Sequence, residues 1–148
     1  MPQRSYQRLA HSHIFALAVG VGLIANGAIA GAADSQILSI ELNKLEPFSG
    51  GCRAYVVITN ASEASFQSMK FDLVLFQPDK VISRRLSVDF APLMAAKKTV
   101  KVFDIPGTSC DKIASVFVND VTECSGSVAM DCFAKTTFSS KAVASMTK

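Results

Sequence analysis

The chain has 148 residues, with 15 basic and 12 acidic side chains, a formal charge of +3, four cysteines, two histidines and no tryptophan. That length holds one ordinary domain, and so slight a charge excess excludes a partner held mainly by phosphate neutralisation, as nucleic acid is. Both histidines, His11 and His13, precede the first acidic residue, Asp34, which removes the commonest general acid–base group from everything downstream.

The chain opens with Arg4 and Arg8, an apolar run from Ile14 to Ala25, and a small-residue stretch from Ala28 to Ala33. This is the layout of a secretory signal peptide, expected over residues 1–32. The run falls short of the roughly 20 apolar residues that a membrane-spanning helix needs, so cleavage after Ala30, Ala32 or Ala33 is expected rather than anchoring. No cysteine follows closely and the two arginines are not adjacent, so the general secretory route is indicated. Cleavage removes both histidines and both of those arginines, leaving 13 basic residues against 12 acidic, and Tyr55 as the remaining tyrosine.

Downstream the pattern has period two. Leu38, Ile40 and Leu42 alternate with Ser39 and Glu41, and Cys52, Ala54, Val56 and Ile58 alternate with Arg53, Tyr55, Val57 and Thr59. Both segments read as half-buried strands, joined by a turn through Pro47, Ser49, Gly50 and Gly51. The third strand sets Met69, Phe71, Leu73 and Leu75 against Lys70, Asp72, Val74 and Phe76. Pro78, Asp79 and Lys80 then turn the chain into Ile82, Leu86 and Val88, which makes a hairpin. Further strands are expected over Thr99 to Ile105, Ile113 to Val121 and Cys132 to Phe138. Residues 139–148, small and polar, are expected to form a flexible tail, leaving 33–138 as the folded domain.

Cys52, Cys110, Cys124 and Cys132 are even in number, lie in the exported part and lack C-x-x-C spacing, which predicts structural disulfides. Three connectivities are open. Cys124 with Cys132 closes a short Gly/Ser loop and Cys52 with Cys110 ties an early strand to a late connection; this pairing is preferred. A four-thiolate zinc site lacks the close cysteine pairs such sites use, so neither a metal nor a cofactor is expected. Six or seven short strands predict an antiparallel immunoglobulin-like β-sandwich stapled by disulfides, with a small β-barrel as the alternative.

The stretch from Cys52 to Ile105 carries Asn60, Phe71, Leu73, Phe76, Asp79, Pro92 and Leu93 in the order strand, F-x-L-x-x-F strand, turn, P-L loop. It resembles the immunoglobulin-like exported bacterial domains of FxLYD type, and the exported chain as a whole is similar to small exported proteins of alphaproteobacteria, some labelled as carrying a twin-arginine signal. Lys80 stands where a turn glycine is usual, and the amino terminus lacks the arginine pair. What the resemblance implies is a fold rather than an activity.

Catalytic residues are not expected. Without histidine the usual activation of serine or cysteine is missing, and the carboxylate pairs Asp72 with Asp79 and Asp120 with Glu123 read as outward strand or turn residues, as does Lys70 or Lys98 offered as a base. No phosphate loop or dinucleotide fingerprint is present. Asn60-Ala61-Ser62 fits the N-glycosylation pattern and reads as turn composition. The expected role is a periplasmic or secreted interaction or structural module, its partner an envelope protein. Thiol–disulfide exchange or small-ligand binding is the alternative. Tyr55, Phe66, Phe76 and Phe90 are the candidate recognition surface, and Lys97, Lys98 and Lys101 form either a solvated face or a contact for an acidic surface.

Overall fold

The computed structural model describes residues 36–148, so the expected signal peptide lies outside the described residues. β1 (Leu38–Phe48) and β2 (Gly51–Asn60) form the first hairpin, β3 (Phe66–Phe76) and β4 (Ile82–Asp89) the second. β5 (Lys97–Pro106), a 3-10 turn at Cys110–Lys112, β6 (Ser115–Gly126), β7 (Thr136–Ser140) and β8 (Ser145–Thr147) follow.

One sheet has the order β5-β2-β1-β7 and the other β4-β3-β6-β8. The alternation read from the sequence explains why they face each other. In β2 every second residue, Cys52 through Ile58, is buried while Arg53 to Thr59 stay half-exposed, and in β3 Met69, Phe71, Leu73 and Leu75 are fully buried. With Leu38, Ile40 and Leu42 of β1 and Val116 and Val118 of β6 they make one continuous core. Each such side chain contributes about 1.5–3 kcal/mol by leaving water, and only face-to-face sheets bury both sets. The molecule is a β-sandwich rather than a barrel.

Two features depart from the expected antiparallel sandwich with a loose end. β7 pairs with β1, and β8 with β6, in parallel. The segment 139–148, expected to be a flexible tail, is instead built into both sheets: Ala144 and Met146 are buried, and Ser140 Oγ donates to Ala144 O at 2.6 Å. Lys148 Nζ donates to Phe133 O at 2.6 Å and Thr136 O at 2.7 Å and lies over the Phe133 ring. Small residues there reflect tight packing against β1 and β6 rather than fraying.

The cysteines pair as Cys52–Cys110 and Cys124–Cys132, with Cα separations of 5.0 and 6.4 Å, both within the usual disulfide range of about 4.4–6.8 Å. This is the connectivity that loop closure favours. Two disulfides in a chain of this size fit an extracytoplasmic compartment. Among the described residues no helix is long and apolar enough to cross a membrane.

Candidate binding surface

The four aromatic residues proposed as one recognition patch occupy three different places. Phe66 and Phe90 are 0% and 1% exposed and belong to the core, not the surface. For Phe66 the cause is a register shift between β3 and β6 over Phe66 to Ser68. A bulge inverts the alternation, so a residue on the outward phase turns inward. Gly126, its register partner, makes the room: a Cβ there would stand 3.0 Å from the Phe66 ring and 2.7 Å from Ser65 O. For Phe90 the cause is Asp89, whose Oδ1 accepts from both Met69 N and Ala91 N. This clamp swings Phe90 under the sheet, 5.2 Å from Phe71 and 6.0 Å from Phe103 between ring centres.

Tyr55 and Phe76 are half-buried, on the outer faces of opposite sheets. Phe76 lines a recess with Pro78, Lys80 and Phe117. Tyr55 donates its hydroxyl to Glu46 Oε2, which raises the phenol pKa above its ordinary value and draws that of Glu46 below.

Around Tyr55 the outer face of the first sheet is ordered row by row. Arg53 stands opposite Asp104, Tyr55 opposite Val102, Val57 opposite Val100, and Thr59 opposite Lys98. Arg53 grips Asp104 through Nε–Oδ1 at 2.6 Å and Nη2–Oδ2 at 3.0 Å, a bidentate fork that holds the Asp104 carboxyl below the usual range. Val100 and Val102 are 59% and 51% exposed. β5 is also the end strand of its sheet, so its outer backbone groups have no strand to pair with among the described residues.

β5 carries three lysines. Lys97 and Lys98 are exposed, whereas Lys101 lies on the inner phase and folds over the seam between the sheets, donating from Nζ to Ala91 O at 3.1 Å. Edge lysines are a common device against indiscriminate strand pairing. On the opposite side of the sandwich the edge strands β7 and β8 are only 5 and 3 residues long, so β5, with 10 residues, is the longest unpaired edge.

A recess of about 550 Å³ opens beside the bulge in β1 at Leu42–Lys44. Its walls include Leu45, Pro47, Ile113 and Ala144, with Val143 wholly exposed at the rim.

The remaining candidates have structural partners. Asp72 is ion-paired to Arg85, Asp79 accepts from Val81 N in the β3–β4 turn, Glu123 is bonded to Lys70 Nζ, and Asp120 accepts from Val121 N. Asn60 is buried, and its amide nitrogen, the atom a glycan needs, donates to Ala64 O at 2.7 Å and Met94 O at 2.9 Å. Among the described residues no group of three or more His, Cys, Asp or Glu side chains is arranged to hold a metal.

Comparison with protein-family models, curated proteins and solved structures finds no match to this chain, so a functional reading has to come from its own residues.

Proposed function

We propose that the chain is an exported, immunoglobulin-like sandwich that serves, in the periplasm or beyond it, as a non-catalytic binding module, and that β5 is its docking element. The occupant is an extended, acidic segment of an envelope protein, added to the sheet as a further strand. The observation that carries this is the coincidence on one strand of an open backbone edge, two exposed valines and two exposed lysines, Lys97 and Lys98. An added strand satisfies the open backbone groups and covers the valines. The lysines repel basic or self-similar strands and accept an acidic one, so selectivity comes from repulsion as much as attraction. The apolar run behind Arg4 and Arg8 supports export, as do the disulfides.

A photocrosslinking side chain placed at Val100, with Val81 on the β3–β4 turn as control, tests this in intact cells. The expected product joins Val100, but not Val81, to an acidic segment of one envelope protein, and is lost when Lys97→Glu and Lys98→Glu are combined. Equal crosslinking at both sites, a partner segment without acidic residues, or indifference to charge reversal would overturn the reading.

A second reading, small-ligand binding, is favoured by the recess beside Leu45 and Ile113, whose volume is that of a ligand site. Displacement of a bound apolar dye that is abolished by Ile113→Asp, in a variant retaining its melting transition, would support it. Dye binding unaffected by that change would remove it.

A further inference from the structure

A second recess, about 350 Å³, lies where the β3–β4 turn and the start of β4 face the segment between β5 and the 3-10 turn. Its wall holds two cations, Arg84 and Lys112, with Gln77, Ser83, Thr108 and Ser109, and no carboxylate. Arg84 is half-buried, and its guanidinium has no hydrogen bond or ion pair with another described residue. That is unusual: the other arginines of the described chain, Arg53 and Arg85, each grip an aspartate through a bidentate fork. Lys112 has Asp111 next to it, but Asp111 lines the large recess on the other side of the 3-10 turn. The unanswered charge is therefore mainly that of Arg84.

The wall opposite Arg84 is fixed by the fold. Gly107, at φ 70°, donates its N–H to Gly50 O at 2.8 Å. Three residues later the Cys52–Cys110 disulfide anchors the segment to β2, and Lys112 N closes on Ser109 O at 3.0 Å. The backbone turn lies beside the guanidinium: a Cβ at Gly107 would stand in ordinary van der Waals contact with Arg84 Nη2, at 3.6 Å. The guanidinium thus faces a held backbone turn and hydroxyl side chains across a small, carboxylate-free space. Such a space holds a positive potential that water and mobile ions screen less than an open surface.

We propose that this recess binds a compact tetrahedral oxyanion, a phosphate or sulfate group carried on a small molecule. The Arg84 fork supplies the paired donors that fit such an oxyanion, Lys112 adds a point charge, and Thr108 supplies a hydroxyl donor. The site lies apart from the outer face of β5 and does not depend on the docking role given to that strand.

The test is titration of the isotopically labelled full chain with inorganic phosphate and with sulfate, followed by amide shifts at constant ionic strength. The expected result is saturable movement of Gly107, Thr108 and Ser109 with an affinity on the order of millimolar, absent with chloride. Arg84→Gln should weaken it by about tenfold or more, equivalent to about 1.4 kcal/mol, with the dispersion of the spectrum retained, and Lys80→Gln should leave it unchanged. Shifts that follow sulfate, or phosphate, more strongly identify which oxyanion the site prefers. Movement that is linear, that chloride reproduces, or that Arg84→Gln does not weaken would overturn the proposal. Binding seen only to phosphatidylglycerol vesicles, with no response to either free anion, would overturn it as well.

Discussion

Arg85 holds Asp72 by two parallel hydrogen bonds, Nε to Oδ1 and Nη2 to Oδ2, each 2.6 Å long, across the pairing of β3 with β4. The carboxylate is nearly covered while the guanidinium is mostly in water, and Asn119 Nδ2 donates to the same Oδ2 at 2.6 Å. The Arg85 bonds lower the Asp72 pKa most; burial opposes them, and Asn119 lowers it further. A carboxyl depressed below its unfolded value of about 3.9 adds stability that is full above that value and is lost as pH falls through the folded pKa. Asp72→Asn should therefore flatten the acid limb of stability against pH below the unfolded value of about 3.9. Urea melts across that range check it; an unchanged slope would show that the pair contributes nothing.

Phe71 is fully buried, with ring centres of Phe90 and Phe138 at 5.2 and 5.9 Å. It joins β3 to the β4–β5 connection and to β7, so its loss cannot be repaired by one neighbour shifting. Phe71→Ala should cost about 3–5 kcal/mol in urea unfolding, and a cost under about 1 kcal/mol would mean that the core collapses into the space.

The two disulfides close loops of different length, with sequence separations of 58 and 8. In the chain-entropy account, replacing Cys52 and Cys110 by alanine should cost about 4 kcal/mol and replacing Cys124 and Cys132 about 2.5. Thermal melts of the two double variants give the order, which a larger loss from the short loop would reverse.

Asn60 makes four hydrogen bonds, its Oδ1 accepting from Ser62 N at 3.1 Å and Ser62 Oγ at 2.7 Å in addition to the two donated bonds. It thus fastens the β2–β3 loop to the chain before β5. Asn60→Ala removes a buried amide and all four of these bonds, the one to Ala64 O being buried, and should cost about 1–3 kcal/mol, read as a lower denaturant midpoint at unchanged slope.

Met146 is 4% exposed although it lies two residues from the end of the described chain. Met146→Ala should cost about 2–5 kcal/mol, whereas a frayed end would tolerate it without measurable change.

The strands were legible because alternation is a local signal: Cys52 to Ile58 and Met69 to Leu75 read correctly as one buried face each. The cysteine count pointed to two disulfides but left three pairings open, of which the preferred one is the one formed. What the alternation cannot show is a phase break, and Phe66 reads as outward because the bulge that turns it inward depends on β6, some sixty residues away. Phe90 reads as outward too, because its direction follows from the Asp89 side chain rather than from its own phase. Residues 139–148 read as a tail because serine, alanine and lysine carry no strand signal; their order comes from carbonyls of β1 and β7 and the segment before β6. Arg84 carried no signal either, since an arginine between polar neighbours looks the same whether or not a carboxylate awaits it.

The parallel pairing of β7 with β1 sets Leu38 beside Thr136 and Leu42 beside Ser140, the first strand described next to one of the last. A chain delivered amino end first, from a ribosome or through a membrane pore, thus presents β1 long before its outer neighbour exists. The hairpin of β1 with β2 can form early, but the first sheet stays one strand short, with the core flank under Leu38 and Ile40 open to water, until residues 136–140 have emerged. Closing the sheet therefore waits on a segment nearly a hundred residues downstream of β1, and a polypeptide stalled or clipped before residue 136 exposes a β-edge that β7 otherwise covers.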